Sequence, residues 1–492
     1  MEHFANLISF VRDTNALVYL YGILEWDQST KMPPSAIEQR AESLGSLEGV
    51  IHRRKKSPFI GDMLAKINTD NLVPAEKAQL REIQRSFLRA NKVPEELSRA
   101  IVETTTKAEL VWRQALSNND FQSFKPELKK VINLKREEGQ ILSTNGNPYD
   151  GLLEDYEVGM TCDDLDGIFG ELKPRLNDLR DKILAKTPYP HPTRKKFPED
   201  KQLGLAKDLA KRFGYNIEKG RLDLVTHPFC MGSGMDVRIT TRVDEYDPFN
   251  CLYSTIHEAG HGAYEQNINQ QFCLTTIGNG TSFGVHESQS RICENQLGRS
   301  KEFSGWLYRK MIDIFEDVGV RSGDEFYRWV NQVKKGFIRT EADEVQYNLH
   351  IILRYELEKL LIAGSLDVDD LEEAWNQKFL EYFGYEVQRP SQGFLQDVHW
   401  SLGLIGYFPT YTLGNVYAGC LFNTMNAQIG DLGSSLAKGD ITPATSWLHE
   451  NIHQHGALRE PKETIEKATG APINSVHLLD YLENKFSEIY SL

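Results

Sequence analysis

Apolar residues recur every three or four positions along most of the chain, with Lys and Glu between them, while strand-like alternation is scarce. The pattern predicts a mainly α-helical protein. Residues 76–145 are typical of long amphipathic helices, and the apolar run 14–24 is predicted to pack as a core helix. Four prolines in residues 186–201 predict an exposed loop between helical blocks.

Strands are expected only between residues 225 and 245, as a small sheet beside the helices. In DVRITTRV, residues 236–243, β-branched residues alternate with polar ones, and the stretch 232–234, Gly-Ser-Gly, can turn a hairpin. A helix is predicted directly afterwards, over 248–266. Asp247 is a good N-cap, and Pro248 suits the first helical turn, where its missing N–H is harmless.

The composition is that of an ordinary soluble globular protein, with 492 residues, 26% charged and 40% hydrophobic. A net charge of −14 argues against a nucleic-acid-binding surface, which needs clustered Lys and Arg. The first residues lack the basic-then-apolar arrangement of a signal peptide, so a cytoplasmic location is expected.

Residues 401–422 carry no charge over a length that could cross a bilayer. Pro409, Asn415 and several glycines and hydroxyls interrupt the segment and would leave backbone groups unpaired in lipid. We therefore expect this stretch to be buried protein interior, suited to the floor of a cleft, and we expect no membrane association.

The stretch YSTIHEAGHGAYEQ, residues 253–266, has His257 and His261 four positions apart on the predicted helix. Residues at this spacing project from one helical face, so both imidazoles can bind one metal ion. Glu258 projects about 100° around the helix, which suits a general base that removes a proton from water. The pattern indicates a zinc centre that hydrolyses its substrate.

A catalytic zinc needs a third protein ligand, and a second predicted helix in residues 282–298 offers Glu287. Two histidines, one carboxylate and an open fourth position are typical of catalytic rather than structural zinc. Spacing alone does not single out Glu287. Glu265, Glu294 and His286 are alternatives, and Glu287, Arg291 and Glu294 could equally form a solvated ion-pair row on one helical face.

Six further stretches occur in a fixed order: HPF at 227–229, DVRIT at 236–240, HEAGH at 257–261, HESQ at 286–289, IRTEAD at 338–343 and GFLQDVHW at 393–400. Together they resemble the motifs of the thermostable, or Taq-type, zinc carboxypeptidase family. WDQSTKMPP at 26–34 is similar to the family's N-terminal signature, with departures at Ser29 and Lys31. The resemblance covers essentially the whole chain.

The resemblance implies Glu287 as the third ligand and a large helical fold with a deep cleft, shared with angiotensin-converting enzyme and neurolysin. It implies an enzyme that removes single residues from peptide C-termini with broad specificity and forms a homodimer. We expect one domain, 1–492, with an N-terminal helical lobe (1–220) and a zinc-binding catalytic lobe (221–492). One zinc ion per chain is expected, and cobalt or manganese could replace it because these ligands select weakly among such metals.

A carboxypeptidase must bind a free terminal carboxylate, and an arginine fork does so with two parallel charge-assisted hydrogen bonds. Arg339 of IRTEAD is the candidate for this role, and Arg238 and Arg291 are the reserves. The competing structural interpretation is an i,i+4 ion pair between Arg339 and Asp343.

Donors aimed at the oxyanion of the transition state are expected at His399 of QDVHW and at Tyr411. His227 of HPF is predicted either to line the cleft near the metal or to form a structural hydrogen bond in the sheet. Two other functions stay open: an endopeptidase or dipeptidase of the same helical class, and a non-catalytic peptide-binding protein. Retention of Glu258 argues against the last, since a structural metal site needs no base.

Overall fold

The computed structural model describes residues 2–189 and 192–492. In chain order the α-helices are α1 (Glu2–Thr30), α2 (Ile37–Lys55), α3 (Pro58–Lys66), α4 (Pro74–Lys92), α5 (Glu95–Asn118), α6 (Phe121–Leu142), α7 (Pro148–Leu153), α8 (Cys162–Leu184), α9 (Glu199–Arg212), α10 (Phe249–Gln266), α11 (Phe283–Arg291), α12 (Lys301–Phe315), α13 (Gly323–Val330), α14 (Glu344–Ala363), α15 (Leu371–Phe383), α16 (Phe408–Ile429), α17 (Leu432–Leu436), α18 (Thr442–Asn451), α19 (Pro461–Thr469) and α20 (Val476–Tyr490). Three strands precede α10: β1 (Leu222–Leu224), β2 (Cys230–Ser233) and β3 (Asp236–Thr241).

The mainly helical prediction is confirmed, and residues 76–145 form α4, α5 and α6. Residues 14–24 were predicted to pack as a core helix. They are helical, but most of their side chains are not buried. The run lies inside the longer helix α1, where Val18 is 41% and Leu20 51% exposed. Pro190 and His191 of the predicted loop 186–201 lie outside the described residues, and the described remainder has no regular structure from 187 up to Pro198.

The chain divides into two compact units, each built from separated stretches of sequence. The first unit contains Met1–Asn91, His191–Val330 and Leu421–Pro472, and the second contains Lys92–Pro190, Asn331–Cys420 and Ile473–Leu492. The division of a single domain into lobes at residue 220 stays a prediction.

The sheet of the first unit has the strand order β1-β3-β2. The predicted hairpin is confirmed: β2 and β3 are antiparallel, with Ser233 opposite Asp236. Strand β1, which was not predicted, pairs in parallel with β3. Val237 and Ile239 of β3 are fully buried, and Ile239 lies on the face that packs against α10.

Two glycines let α10 pack closely on both sides. A Cβ at Gly262 would lie 2.7 Å from the ring of Tyr215 and 3.1 Å from Ile239, and a Cβ at Gly260 would lie 2.5 Å from the carbonyl oxygen of Gln289 on α11. Contacts this short exclude any larger residue without movement of the neighbours. The helix that bears HEAGH is therefore held between the sheet and α11.

The N-terminal motif packs near the sheet as well. The buried indole of Trp26 packs against the guanidinium groups of Arg221 and Arg238, which lie 4.9 and 4.5 Å from the ring centroid. Lys31, one of the two departures from the family signature, forms an ion pair of 2.9 Å with Asp223 of β1. Lys31 therefore links the end of α1 to strand β1 of the sheet.

The second unit is organised around α14, which packs against α6, α7, α8 and α15. Its fully buried Glu358 accepts hydrogen bonds from the Tyr149 hydroxyl (2.7 Å), Trp400 Nε1 (2.8 Å) and the Gly406 amide (3.1 Å). These bonds fix the turn that follows QDVHW. The uncharged stretch 401–422 leads into α16 and is largely buried, as predicted. Among the described helices, none combines the length and apolar character needed to span a bilayer.

Candidate metal centre

His257, His261 and Glu287 place three potential ligand atoms within 4.8 Å of one another in the first unit. Glu287 Oε2 is 3.7 Å from His257 Nε2 and 3.4 Å from His261 Nε2. Two imidazole nitrogens and one carboxylate oxygen are a donor set that suits zinc and related divalent metals. The residues present therefore fit a bound metal ion.

The helix predicted for the two histidines is confirmed as α10, which begins at Phe249. The N-cap prediction is wrong by one residue: Pro248 occupies the N-cap position, and Asp247 Oδ1 accepts the amide N–H of Phe249 at 3.1 Å just before the helix. Glu287 lies on α11, which Ser282 caps by accepting the amide of Val285 at 3.1 Å. Four residues apart on α10, the imidazoles share the face towards Glu287.

Arg291 determines which oxygen of Glu287 faces the histidines. Its Nε donates to Glu287 Oε1 at 2.6 Å, which leaves Oε2 for the imidazoles. Burial would by itself raise the pKa of Glu287, but Arg291 and the two histidines hold it well below its usual value. Glu287 is thus ionised, as a metal ligand must be.

Of the three alternative ligands, Glu294 and His286 contact the outer nitrogens of His257 and His261, and Glu265 contacts His286. Glu294 Oε2 lies 2.9 Å from His257 Nδ1, and His286 Nδ1 lies 2.5 Å from His261 Nδ1. Glu265 Oε1 lies 3.0 Å from His286 Nε2. Hydrogen bonds at the outer nitrogen fix the tautomer and orientation of a metal-ligating imidazole.

Beyond Arg291 the chain does not continue as an α-helix. Residues Ile292–Leu297 form a π-helix, a widened turn that occurs frequently at functional sites. The predicted ion-pair row is present, since Arg291 pairs with Glu287 at 2.6 Å and with Glu294 at 3.6 Å, but all three side chains are largely buried rather than solvated.

Glu258 is buried, and its Oε2 atom has no hydrogen-bond partner among the described residues. Burial raises the pKa of Glu258 to about 7. An unpartnered carboxylate oxygen whose pKa is near neutrality is suited to accept and return a proton.

Arg339 lies in the second unit, in a buried ionic cluster. Its Nε and Nη2 atoms lie 3.0 and 2.7 Å from Asp397 Oδ1, and its Nη1 donates to the Tyr347 hydroxyl at 3.0 Å. Arg354 approaches the other oxygen, with Nε 2.7 Å and Nη2 2.6 Å from Asp397 Oδ2. One carboxylate is therefore shared by two buried arginines.

The competing Arg339–Asp343 pair is replaced by other contacts. Asp343 caps α14 by accepting the amides of Val345 and Gln346, both at 3.0 Å. Although burial would raise the pKa of Asp397, Arg339 and Arg354 hold it well below its usual value.

His399 and Tyr411 lie together in this second unit, with His399 Nε2 3.2 Å from the Tyr411 hydroxyl. Burial lowers the pKa of His399 to about 3, so its imidazole is neutral at neutral pH. The guanidinium of Arg339 lies 5.0 Å from the centroid of the Tyr411 ring. The structure thus brings together Arg339, His399 and Tyr411.

The remaining candidates lie elsewhere in the first unit. Arg238 packs on Trp26 and donates to both oxygens of Asp236, each at 2.8 Å. His227 is exposed on the loop between β1 and β2. Neither is part of the group formed by His257, His261 and Glu287.

Sequence reasoning missed Asp397, Arg354 and Tyr347 as members of the Arg339 cluster. Asp397 could have been proposed from the sequence, because it lies in the same QDVHW motif as His399. Arg354 and Tyr347 lie on α14 outside the motifs, and no local pattern distinguishes them.

Comparisons with known proteins give a consistent result over the whole chain. Residues 6–486 match the family described as carboxypeptidase Taq (M32) metallopeptidase. The chain is 39% identical to thermostable carboxypeptidase 1 of Thermus thermophilus, over 99% of both chains. It is 37% identical to carboxypeptidase 1 of Bacillus subtilis, over 96% of this chain and 95% of the relative. The crystal structure of an M32 carboxypeptidase from Deinococcus radiodurans superposes with a TM-score of 0.97, at 35% identity and full coverage of both chains.

Proposed function

This chain belongs to the carboxypeptidase Taq (M32) metallopeptidase family and is a metal-dependent peptide hydrolase, and we propose that it releases single amino acids from peptide C-termini with zinc held by His257, His261 and Glu287. The observation that carries the proposal is the set of three ligand atoms with Glu258 as the next residue on the same helix. The buried Oε2 atom of Glu258 has no hydrogen-bond partner among the described residues, which supports a role for Glu258 as general base.

Zinc bound by these side chains would polarise the carbonyl of the last peptide bond and make a water molecule more acidic. Glu258 accepts the proton of that water and later gives it to the leaving amine, and its raised pKa suits both transfers. Glu294 keeps the imidazole of His257 turned so that its Nε2 atom faces Glu287.

Arg339 binds the terminal carboxylate of the substrate in this proposal. Asp397 and Tyr347 hold the guanidinium in one orientation, so little side-chain freedom is lost when a carboxylate binds. His399 and Tyr411 donate hydrogen bonds to the developing oxyanion. Because recognition depends on a carboxylate that every unmodified peptide has, broad specificity for the last residue follows.

We propose further that the enzyme acts in the cytoplasm as a homodimer on peptides with a free C-terminus, and that cobalt or manganese can replace zinc. An endopeptidase is the second candidate, because a zinc centre with a base would serve it equally well. Arg339 favours the exopeptidase, since an internal cut needs no carboxylate receptor.

One experiment tests metal and activity together. The metal content of the purified protein is measured, and a peptide mixture is incubated with it and followed by mass spectrometry. We expect about one zinc per chain, as for a single catalytic site, and stepwise loss of residues from C-termini. Internal fragments, or equal cleavage of C-terminally amidated peptides, would contradict the carboxypeptidase and support the endopeptidase.

A further inference from the structure

The two histidines of the metal centre are supported in different ways. His257 Nδ1 faces a carboxylate directly, at 2.9 Å from Glu294 Oε2. His261 Nδ1 faces a second imidazole, at 2.5 Å from His286 Nδ1, and only His286 faces a carboxylate, at 3.0 Å from Glu265 Oε1. One support is a carboxylate at the first contact, whereas the other is an imidazole there, with a carboxylate one ring further away.

The direction of the hydrogen bonds along the second support follows from the ring chemistry. Two imidazole nitrogens at this distance share one hydrogen, so one donates and the other accepts. His261 must keep the Nε2 lone pair free for a metal, which places its hydrogen on Nδ1 and makes His286 Nδ1 the acceptor. His286 then carries its own hydrogen on Nε2 and donates to Glu265.

The surrounding backbone holds this arrangement in place. The amide of Gly280 donates to Glu265 Oε1 at 2.8 Å, so that oxygen accepts two hydrogen bonds. A Cβ at Gly280 would lie 2.7 Å from His286 Cδ2 and 2.9 Å from the ring of Tyr264. The chain therefore packs against His286 too closely for any side chain at position 280.

We propose that His286 and Glu265 form a positioning relay that fixes the tautomer and orientation of His261 for metal binding. The inference rests on the proposed metal centre and adds to it two residues that do not bind the ion. Loss of such an outer partner typically weakens metal affinity by about 10- to 100-fold.

The test compares two replacements of His286. His286→Phe keeps a ring but removes the acceptor for His261, so we expect zinc affinity to fall roughly 10- to 100-fold and loss of zinc to a chelator to become faster. His286→Gln keeps an acceptor oxygen for His261 and an amide donor for Glu265, and is expected to recover most of the affinity. Both quantities are measured by competition with a chelator, independently of peptidase activity.

A matched control separates positioning from general damage. His453 is buried in the same unit, its ring centroid is 5.3 Å from that of Tyr264, and its Nε2 lies 2.9 Å from Gln289 Oε1 on α11. His453→Phe should therefore disturb the same packing but leave zinc affinity unchanged, and the thermal midpoint of each metal-free protein is recorded.

The outcomes distinguish this inference from the proposed function. Unchanged zinc affinity in His286→Phe, or equal weakening in His286→Gln and His286→Phe at equal metal-free stability, would overturn the relay alone. Equal weakening in the His453→Phe control would also overturn it, since the effect would then come from packing. A wild-type protein that does not bind zinc would overturn the metal centre and the relay together.

Discussion

Replacing Arg339 with methionine tests whether this side chain recognises the substrate carboxylate. The change removes the charge and the donors while keeping an unbranched side chain. Truncating one partner of a desolvated, charged hydrogen-bond pair typically costs about 2–5 kcal/mol. At about 1.4 kcal/mol for each factor of ten, kcat/KM on peptides with a free C-terminus should fall roughly thirty- to several-thousand-fold.

Asp397 pairs with both Arg339 and Arg354, so the effect of losing Arg339 must be separated from damage to this cluster. A variant of Arg354 provides the control. Arg339→Met leaves Asp397 with one buried guanidinium, so part of any loss comes from a disturbed cluster. Arg354→Met disturbs Asp397 from the other side. The Arg354 side chain is 1% exposed and the Arg339 side chain 7%, so Arg354 is less accessible to a substrate.

The assay compares free and C-terminally amidated versions of the same peptide for both variants, together with thermal stability. We expect Arg339→Met to lose activity selectively on the free peptides, whereas Arg354→Met loses stability and affects both peptides alike. Arg339→Lys should recover little, because lysine keeps the charge but not the planar fork. Equal losses on the two peptides in Arg339→Met, matching those of Arg354→Met, would refute the carboxylate role.

Three other outcomes are expected. Glu258→Gln should retain zinc, measured by metal analysis, and lose most peptidase activity, because an amide cannot accept the proton; near-normal turnover in the metal-loaded variant would exclude the base role. Glu358→Gln should lower the free energy of unfolding by about 1–3 kcal/mol, because the new amide N–H group would face the donors of Tyr149, Trp400 and Gly406 that the carboxylate now accepts. An unchanged free energy of unfolding in chemical denaturation would contradict this. Arg238 holds the pKa of Asp236 below its usual value, so Asp236 stabilises the fold above about pH 4 and this contribution is lost as pH falls further. Asp236→Asn should therefore flatten the acid side of a stability profile, and an unaltered profile would show that the pair contributes nothing.

The helices and the placement of His257 and His261 were predictable because their determinants are local. The three- and four-residue spacing that defines an amphipathic helix also places these two histidines on one face, and the helix begins within one residue of the predicted start. Glu287 follows only from the family resemblance, because spacing alone leaves Glu265, Glu294 and His286 as alternatives. Strand β1 escaped prediction because three residues, paired with a strand further along the chain, are too short to show alternation.

The partners of Arg339 were not predictable for a related reason. Spacing suggested Asp343, four positions away, but the actual partner Asp397 is 58 positions away and is brought there by tertiary folding. The π-helix Ile292–Leu297 was not predicted either, because residues 282–298 were expected to form one α-helix. For Arg339, a nonlocal arrangement prevailed over a local rule.

The two glycines of α10 have a consequence for the order in which the protein folds. Each glycine inside a helix costs roughly 0.5–1 kcal/mol of stability relative to alanine, so the segment 249–266 is a poor helix on its own. Its regular structure depends on docking against α11 and Tyr215, where Gly260 and Gly262 allow close approach. We therefore expect the histidines to be aligned only once α10 has docked, and the proposed zinc to bind late in refolding. Adding metal early should not accelerate recovery of the native state, in contrast to small zinc domains that fold around their ion.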